Sequence, residues 1–160
     1  MTFYKSKIST LEALSDLRKS WAANGETVVF TNGCFDILHR GHVDYLNKAA
    51  ALGTKLIVAV NSDKSISTIK SANRPIQDEN SRSEIIAALG CVDAVVIFGE
   101  DTPYNLIKEL VPDILVKGAD YKPEEIVGYD IVTGIGGRVL TIDFLPGYST
   151  SLIEKKIRES

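Results

Sequence analysis

From residue 27 onward, short apolar runs alternate with amphipathic stretches, and this alternation leaves few folds open to the chain. Lys55-Leu56-Ile57-Val58-Ala59-Val60-Asn61 is apolar at odd and even positions alike, as a strand covered on both faces must be. Thr27 to Asn32, Ala94 to Phe98, Asp113 to Lys117 and Arg138 to Ile142 are further runs of strand length rich in β-branched residues. Helical periodicity fills the intervals. The pattern predicts an α/β fold: a single-domain, Rossmann-like, doubly wound parallel five-stranded sheet with right-handed crossovers. In such sheets ligands bind beyond the carboxyl ends of the strands, at the topological switch point. Residues directly after strands therefore carry the functional information.

Ser9 and Glu12 are spaced as a capping box, and Leu11, Leu14, Leu17 and Trp21 share one face of the helix that follows, which Asn24-Gly25 should end. A second helix begins near Gly41 and stops at Leu52-Gly53. Residues 62–80 are polar and read as a short helix followed by a loop. Helices are also expected from Ser81 to Leu89, with Ile85, Ile86 and Leu89 on one side, and from Pro103 to Leu110. The last helix starts around Ser149 to Ser151. One domain over residues 1–160 is expected, with residues 1–25 a helical N-terminal extension and 27–157 the catalytic core.

A net charge of -3 excludes a nucleic-acid-coating protein, because no basic stripe exceeds that of a solvated helix face. Cys34 and Cys91 lie far apart and form neither a C-x-x-C pair nor a zinc site, which fits a reducing cytosol. No N-terminal apolar h-region and no membrane-length apolar run is present, so a cytoplasmic location is expected.

Four strand-end segments should converge. In the first, Thr31-Asn32-Gly33-Cys34-Phe35-Asp36 leads to His39 and His42, the two histidines of the chain, on either side of Gly41. A strand, a glycine turn and a helix start meet there, the geometry that offers backbone N–H groups and a helix dipole to an anion. Two imidazoles beside it can donate to phosphoryl oxygens. The second segment is Asn61-Ser62-Asp63, which alone reads equally as a helix cap. In the third, Lys117-Gly118-Ala119-Asp120, the lysine can reach a phosphate and Asp120 can accept from a ribose hydroxyl or an amino group. The fourth, Gly147-Tyr148-Ser149-Thr150-Ser151, places hydroxyls and free N–H groups at the last helix, although Ser151 with Glu154 is also a plain capping box. Thr133-Gly134-Ile135-Gly136-Gly137 precedes a strand and is no dinucleotide fingerprint. Neither a Walker A motif, a G-x-S-x-G elbow nor a metal-ligand cluster occurs.

His39-Arg40-Gly41-His42 resembles the H-x-G-H signature of the nucleotidyltransferase superfamily, and Tyr148-Ser149-Thr150-Ser151 its second signature. Residues 30–39, 57–63, Arg74-Pro75, 100–103 and especially the block from Leu115 to Gly128 resemble the bacterial heptose-1-phosphate adenylyltransferases, which occur alone or fused to a kinase. The resemblance implies transfer of AMP from ATP to D-glycero-β-D-manno-heptose 1-phosphate, giving ADP-heptose for lipopolysaccharide core synthesis, with Mg²⁺ bridging ATP phosphates and no metal held by protein ligands. It also implies a homodimer. Ala119, Ala50 and Ser71 depart from the family's pattern, and Lys48 is the nearest base to Ala50.

On this reading the reaction is an in-line displacement. His42 contacts the α-phosphate, His39 the triphosphate and leaving pyrophosphate, and Lys117 with Ser149, Thr150 and Ser151 holds the ATP side. Thr31, Asn32, Gly33, Phe35, Gly41, Asn61, Gly118 and Asp120 complete the nucleotide site, while Asp36, Lys70 and Arg82 are expected at the acceptor or distal phosphates. The alternatives are another sugar- or polyol-phosphate nucleotidyltransferase, such as a glycerol-3-phosphate cytidylyltransferase, and a nucleotide-binding module without turnover. A flavodoxin-like binder would need an aromatic flavin loop, which is not evident.

Overall fold

A computed structural model describes residues 3–160. After a short 3-10 helix at Phe3–Lys7, the elements run α1 (Leu11–Ala23), β1 (Val28–Gly33), α2 (Arg40–Ala50), β2 (Lys55–Asn61), α3 (Asp63–Ile69) and α4 (Glu79–Ala87). They continue with β3 (Ala94–Phe98), α5 (Tyr104–Leu110), β4 (Ile114–Gly118), a 3-10 turn at Pro123–Glu125, α6 (Tyr129–Gly134), β5 (Arg138–Ile142) and α7 (Thr150–Glu159). The five strands form one parallel sheet in the order β3-β2-β1-β4-β5. The expected architecture is the observed one.

Strand pleating splits the core into two layers. Val28, Phe30, Ile57 and Ala59 point to the face covered by Leu14 of α1, Leu106, Ile107 and Leu110 of α5, and Val132 of α6. Val29, Leu56, Val58 and Val60 point to the other, against Tyr45, Leu46 and Ala49 of α2 and Ile86 and Ala87 of α4. Alternate residues of one strand are thus buried on opposite sides, which is why β2 reads as apolar throughout.

Three local expectations shift. Thr10, not Ser9, caps α1, its hydroxyl accepting from Ala13 N at 3.3 Å, because Ser9 N is drawn to the sheet edge and donates to Val95 O at 2.9 Å. Helix α4 starts before Ser81, since the Asp78 carboxylate accepts from Ser81 N at 3.0 Å and sets the first turn. Helix α6 lies where sequence periodicity gave no signal, for only Val132 of its six residues is buried.

The switch point falls between β1 and β4. Pairing of β1 with β2 continues to Gly33↔Val60, whereas pairing with β4 stops after Val29↔Ile114 and Phe30↔Leu115. Where the ladder ends, the Thr31 hydroxyl donates to Val116 O at 3.0 Å and lies 2.8 Å from the Tyr45 hydroxyl. Beyond that bond the two strands part, and a crevice opens.

Candidate active site

A cavity of about 600 Å³ occupies this crevice. The end of β1 contributes Asn32, Gly33 and Phe35, and the start of α2 contributes His39, Gly41 and His42. From the end of β4 come Lys117, Gly118 and Asp120, and from the start of α7 Ser149 and Thr150. Close backbone approach holds these segments together. A Cβ on Gly41 would lie 2.9 Å from His39 Cε1 and 3.1 Å from Tyr148 Cβ, so the glycine is where the turns before α2 and α7 meet. A Cβ on Gly118 would run into the Phe144 ring, which lies over that glycine as part of the cavity's apolar wall.

The two imidazoles stack with ring centroids 3.8 Å apart, and the Phe35 ring meets His42 edge-on at 5.4 Å. Phe35 adopts φ +50°, a left-handed conformation unfavourable for a bulky residue, and its ring turns back over Gly33. Burial, together with the neighbouring His39 and Lys70 charges, pushes the His42 pKa down to about 4, and burial lowers that of His39. Both rings are therefore neutral at pH 7. His42 Nδ1 accepts a long bond from His39 N at 3.4 Å, so its proton resides on Nε2 and is available to a ligand. His39 Nδ1 is buried and has no partner among the described residues.

A pH dependence follows. The folded pKa of His42 lies below the unfolded value of 6.5, so between pH 6.5 and about 4 the unfolded chain binds more protons. Stability is fully present above pH 6.5 and declines as pH falls through that window. Allowing for partial solvent screening, the loss is about 1–2 kcal/mol. Urea unfolding at pH 7 and pH 5 should show a smaller difference for His42→Asn than for the wild type.

Lys117 is largely buried. Burial lowers its pKa, and its Nζ sits 5.9 Å from the Tyr121 ring centre. It lines both this cavity and a second one of about 310 Å³, with Asn32, Gly33, Cys34 and Tyr121 also on the shared wall.

Several expected site residues do other work. Arg82, expected at the acceptor or distal phosphates, lines neither cavity: its side chain is 0% exposed, and its nitrogens donate to Gln77 O at 2.9 Å, Cys34 O at 2.7 Å and Asp63 Oδ1 at 2.8 Å. It ties the turn after β1 to α3 and α4. Arg82→Met should lower unfolding stability by on the order of 3 kcal/mol, read from the urea midpoint, because it strands two carbonyls and a carboxylate.

Asp36 is likewise enclosed, accepting from Ile76 N, Gln77 N and Arg74. Burial raises its pKa, but the backbone donors and Arg74 outweigh this and leave it below the usual carboxylate value. Arg74 also pairs with Glu154 of α7. Asp36 thus anchors the loop before α4. Thr31 carries its hydroxyl in the sheet, as described above, and lines neither cavity. Lys70 and Ser151 also line neither, and Asn61 faces the second cavity only. Ser149, not Ser151, caps α7, its hydroxyl accepting from Leu152 N at 3.1 Å. Lys48 is paired with Asp44 at 2.7 Å.

Residues that sequence reasoning passed over include Tyr45, Phe144 and Leu152, which with Tyr148 form the aromatic and aliphatic walls of the larger cavity. Arg40 was read only as a letter within H-x-G-H, yet it donates to the Tyr148 hydroxyl at 3.0 Å and joins the two signature segments. The available signal was the aromatic pair flanking Pro146-Gly147 directly after β5. Among the described residues no group of three or more His, Cys, Asp or Glu side chains is placed to hold a metal ion. No helix among them is long and apolar enough to cross a membrane.

A doubly wound sheet whose switch point carries paired neutral imidazoles, a largely buried lysine and a capped helix start has the layout of the nucleotidyltransferase class. The chain belongs to the cytidylyltransferase-like family, whose model matches residues 30–156. It is 53% identical over 154 residues to the bifunctional protein HldE of Syntrophotalea carbinolica, covering 96% of this chain and 31% of that protein. HldE of Aeromonas hydrophila is 58% identical over 135 residues, 84% of this chain and 28% of the relative. The chain thus spans about a third of the length of these curated relatives. Among solved structures, a lipopolysaccharide core biosynthesis protein from Thermoplasma volcanium superposes with a TM-score of 0.60 at 34% identity, covering 76% of this chain and 98% of that one. Pantoate-beta-alanine ligase from Francisella tularensis, solved with β,γ-ATP and β-alanine, shares the fold at a TM-score of 0.61 and 17% identity, over 96% of this chain and 78% of that one.

Proposed function

We propose that the protein transfers AMP from ATP to D-glycero-β-D-manno-heptose 1-phosphate, releasing pyrophosphate and forming ADP-heptose for lipopolysaccharide core synthesis. One observation carries the reading: His39, His42, Lys117 and the start of α7 line a single cavity, although they come from parts of the chain far apart in sequence. The likeness to a lipopolysaccharide core biosynthesis protein supports the acceptor class.

In this mechanism a phosphate oxygen of the sugar 1-phosphate attacks the α-phosphorus of ATP. The new P–O bond forms as the bond from the α-phosphorus to the bridging oxygen breaks, and pyrophosphate leaves with that electron pair. The nucleophile is already ionised, so no general base is required. Catalysis rests on position and on stabilising the equatorial oxygens. His42 donates from Nε2 to the α-phosphoryl group, His39 faces the leaving phosphates, and Lys117 spans donor and acceptor. Backbone N–H groups at Ser149 and Thr150 complete the triphosphate side. Magnesium would serve as the counter-ion of the ATP phosphates, bridging their oxygens. ATP supply places the reaction in the cytoplasm.

The test is a coupled pyrophosphate assay with Mg²⁺, pairing ATP or CTP with heptose 1-phosphate, other sugar 1-phosphates and glycerol 3-phosphate. Release with ATP and the heptose is expected. A preference for CTP with glycerol 3-phosphate would select the cytidylyltransferase alternative, and ATP binding without release across the panel would leave a binding module.

A further inference from the structure

The second cavity lies beyond the ends of β1, β2 and β3 and adjoins the larger one along a wall that includes Lys117. Its volume of about 310 Å³ is at the lower end for small-molecule sites. Asp101 and Thr102, on the loop after β3, and Glu125, in the 3-10 turn after β4, line it together with Asn61 at the end of β2. Ile126 and Val127 supply apolar wall. Asn32 belongs to both cavities, and its buried Oδ1 has no partner among the described residues, an acceptor left for something that enters. Among the described residues Lys117 is the one positively charged side chain on the pocket's lining, and it lies on the wall shared with the larger cavity.

We propose that this pocket receives the polyhydroxylated ring of the acceptor, with Asp101, Glu125 and the Asn32 carbonyl oxygen accepting from its hydroxyls. The proposal rests on the adenylyl-transfer reading and adds to it the site and basis of acceptor choice. Sugar hydroxyls are donors, and acceptor-only carboxylates satisfy them where lysines or arginines could not. The C–H face of the ring lies on Ile126 and Val127. The 1-phosphate points back to Lys117, which holds it against the α-phosphoryl group in the larger cavity. A second anionic group on the ring is disfavoured, because it would face two carboxylates. Asp101 and Glu125 thus take the acceptor-binding place expected of Asp36 and Arg82.

The double variant Asp101→Asn/Glu125→Gln tests this in three measurements. In the pyrophosphate assay its KM for the heptose 1-phosphate should rise about tenfold or more, with kcat and the Kd for ATP within about twofold of wild type. Against a hexuronic acid 1-phosphate the variant should instead outperform wild type, since the repelling charges are gone; a merely damaged fold would not produce this reversal. Calorimetry of the sugar 1-phosphate in the presence of a non-hydrolysable ATP analogue reads binding without turnover. Wild-type binding that the variant weakens, with no pyrophosphate released by either, would sustain the pocket and end the transfer reading. Pyrophosphate release with an unchanged KM in the variant, or no sugar-phosphate binding by wild type, would overturn the pocket.

Discussion

His42→Ala is expected to reduce kcat by on the order of 10²–10³ while the protein remains folded. The residue supplies a preorganised N–H from Nε2, set by the bond that Nδ1 accepts from His39 N and by the edge-on Phe35 ring. A donor fixed before the substrate arrives needs no reorganisation as charge builds in the transition state, so the loss should appear in kcat more than in the KM for ATP. Near-normal turnover in the pyrophosphate assay would remove His42 from the mechanism. His42→Asn, which keeps an N–H donor but not its reach, should fall between alanine and wild type.

Lys117→Met should lower kcat/KM by a similar order for both substrates, because the ammonium lies on the wall shared by the two cavities. Its effect on stability runs the other way. Burial lowers the Lys117 pKa, which shows that the charged form is held at a cost in the free protein. An apolar side chain of similar length removes that cost, so the thermal midpoint should hold or rise. Opposite changes in activity and stability mark a group kept for ligand rather than for folding. A variant that lost both together would identify Lys117 as structural.

The parts of the site that were legible in the sequence follow strand ends. Lys117-Gly118 and His39-Arg40-Gly41-His42 could be placed because β-branched runs locate strands, and the parallel fold then locates their carboxyl ends. Side-chain direction was not legible. Thr31 and Asp36 sit beside the site in the chain and Arg82 lies on α4, yet each turns inward to satisfy a backbone or ionic partner that comes from a distant part of the sequence. The cavity walls were missed for a related reason: Phe144 and Tyr148 lie in a loop without periodicity, and their role follows only from the packing over Gly118 and Gly41. Asp101 and Glu125 lie in two of the segments that carry the family resemblance, but nothing in the sequence gives either a role, and only the topology brings them to one pocket.

The early end of the β1–β4 ladder has a kinetic corollary. The crevice is bounded by residues near 32, 117 and 148, so no local hairpin or helix pair prefigures it, and closing those long loops comes late in folding. Nucleotide affinity should therefore be among the last properties to return after dilution from denaturant, later than helix content.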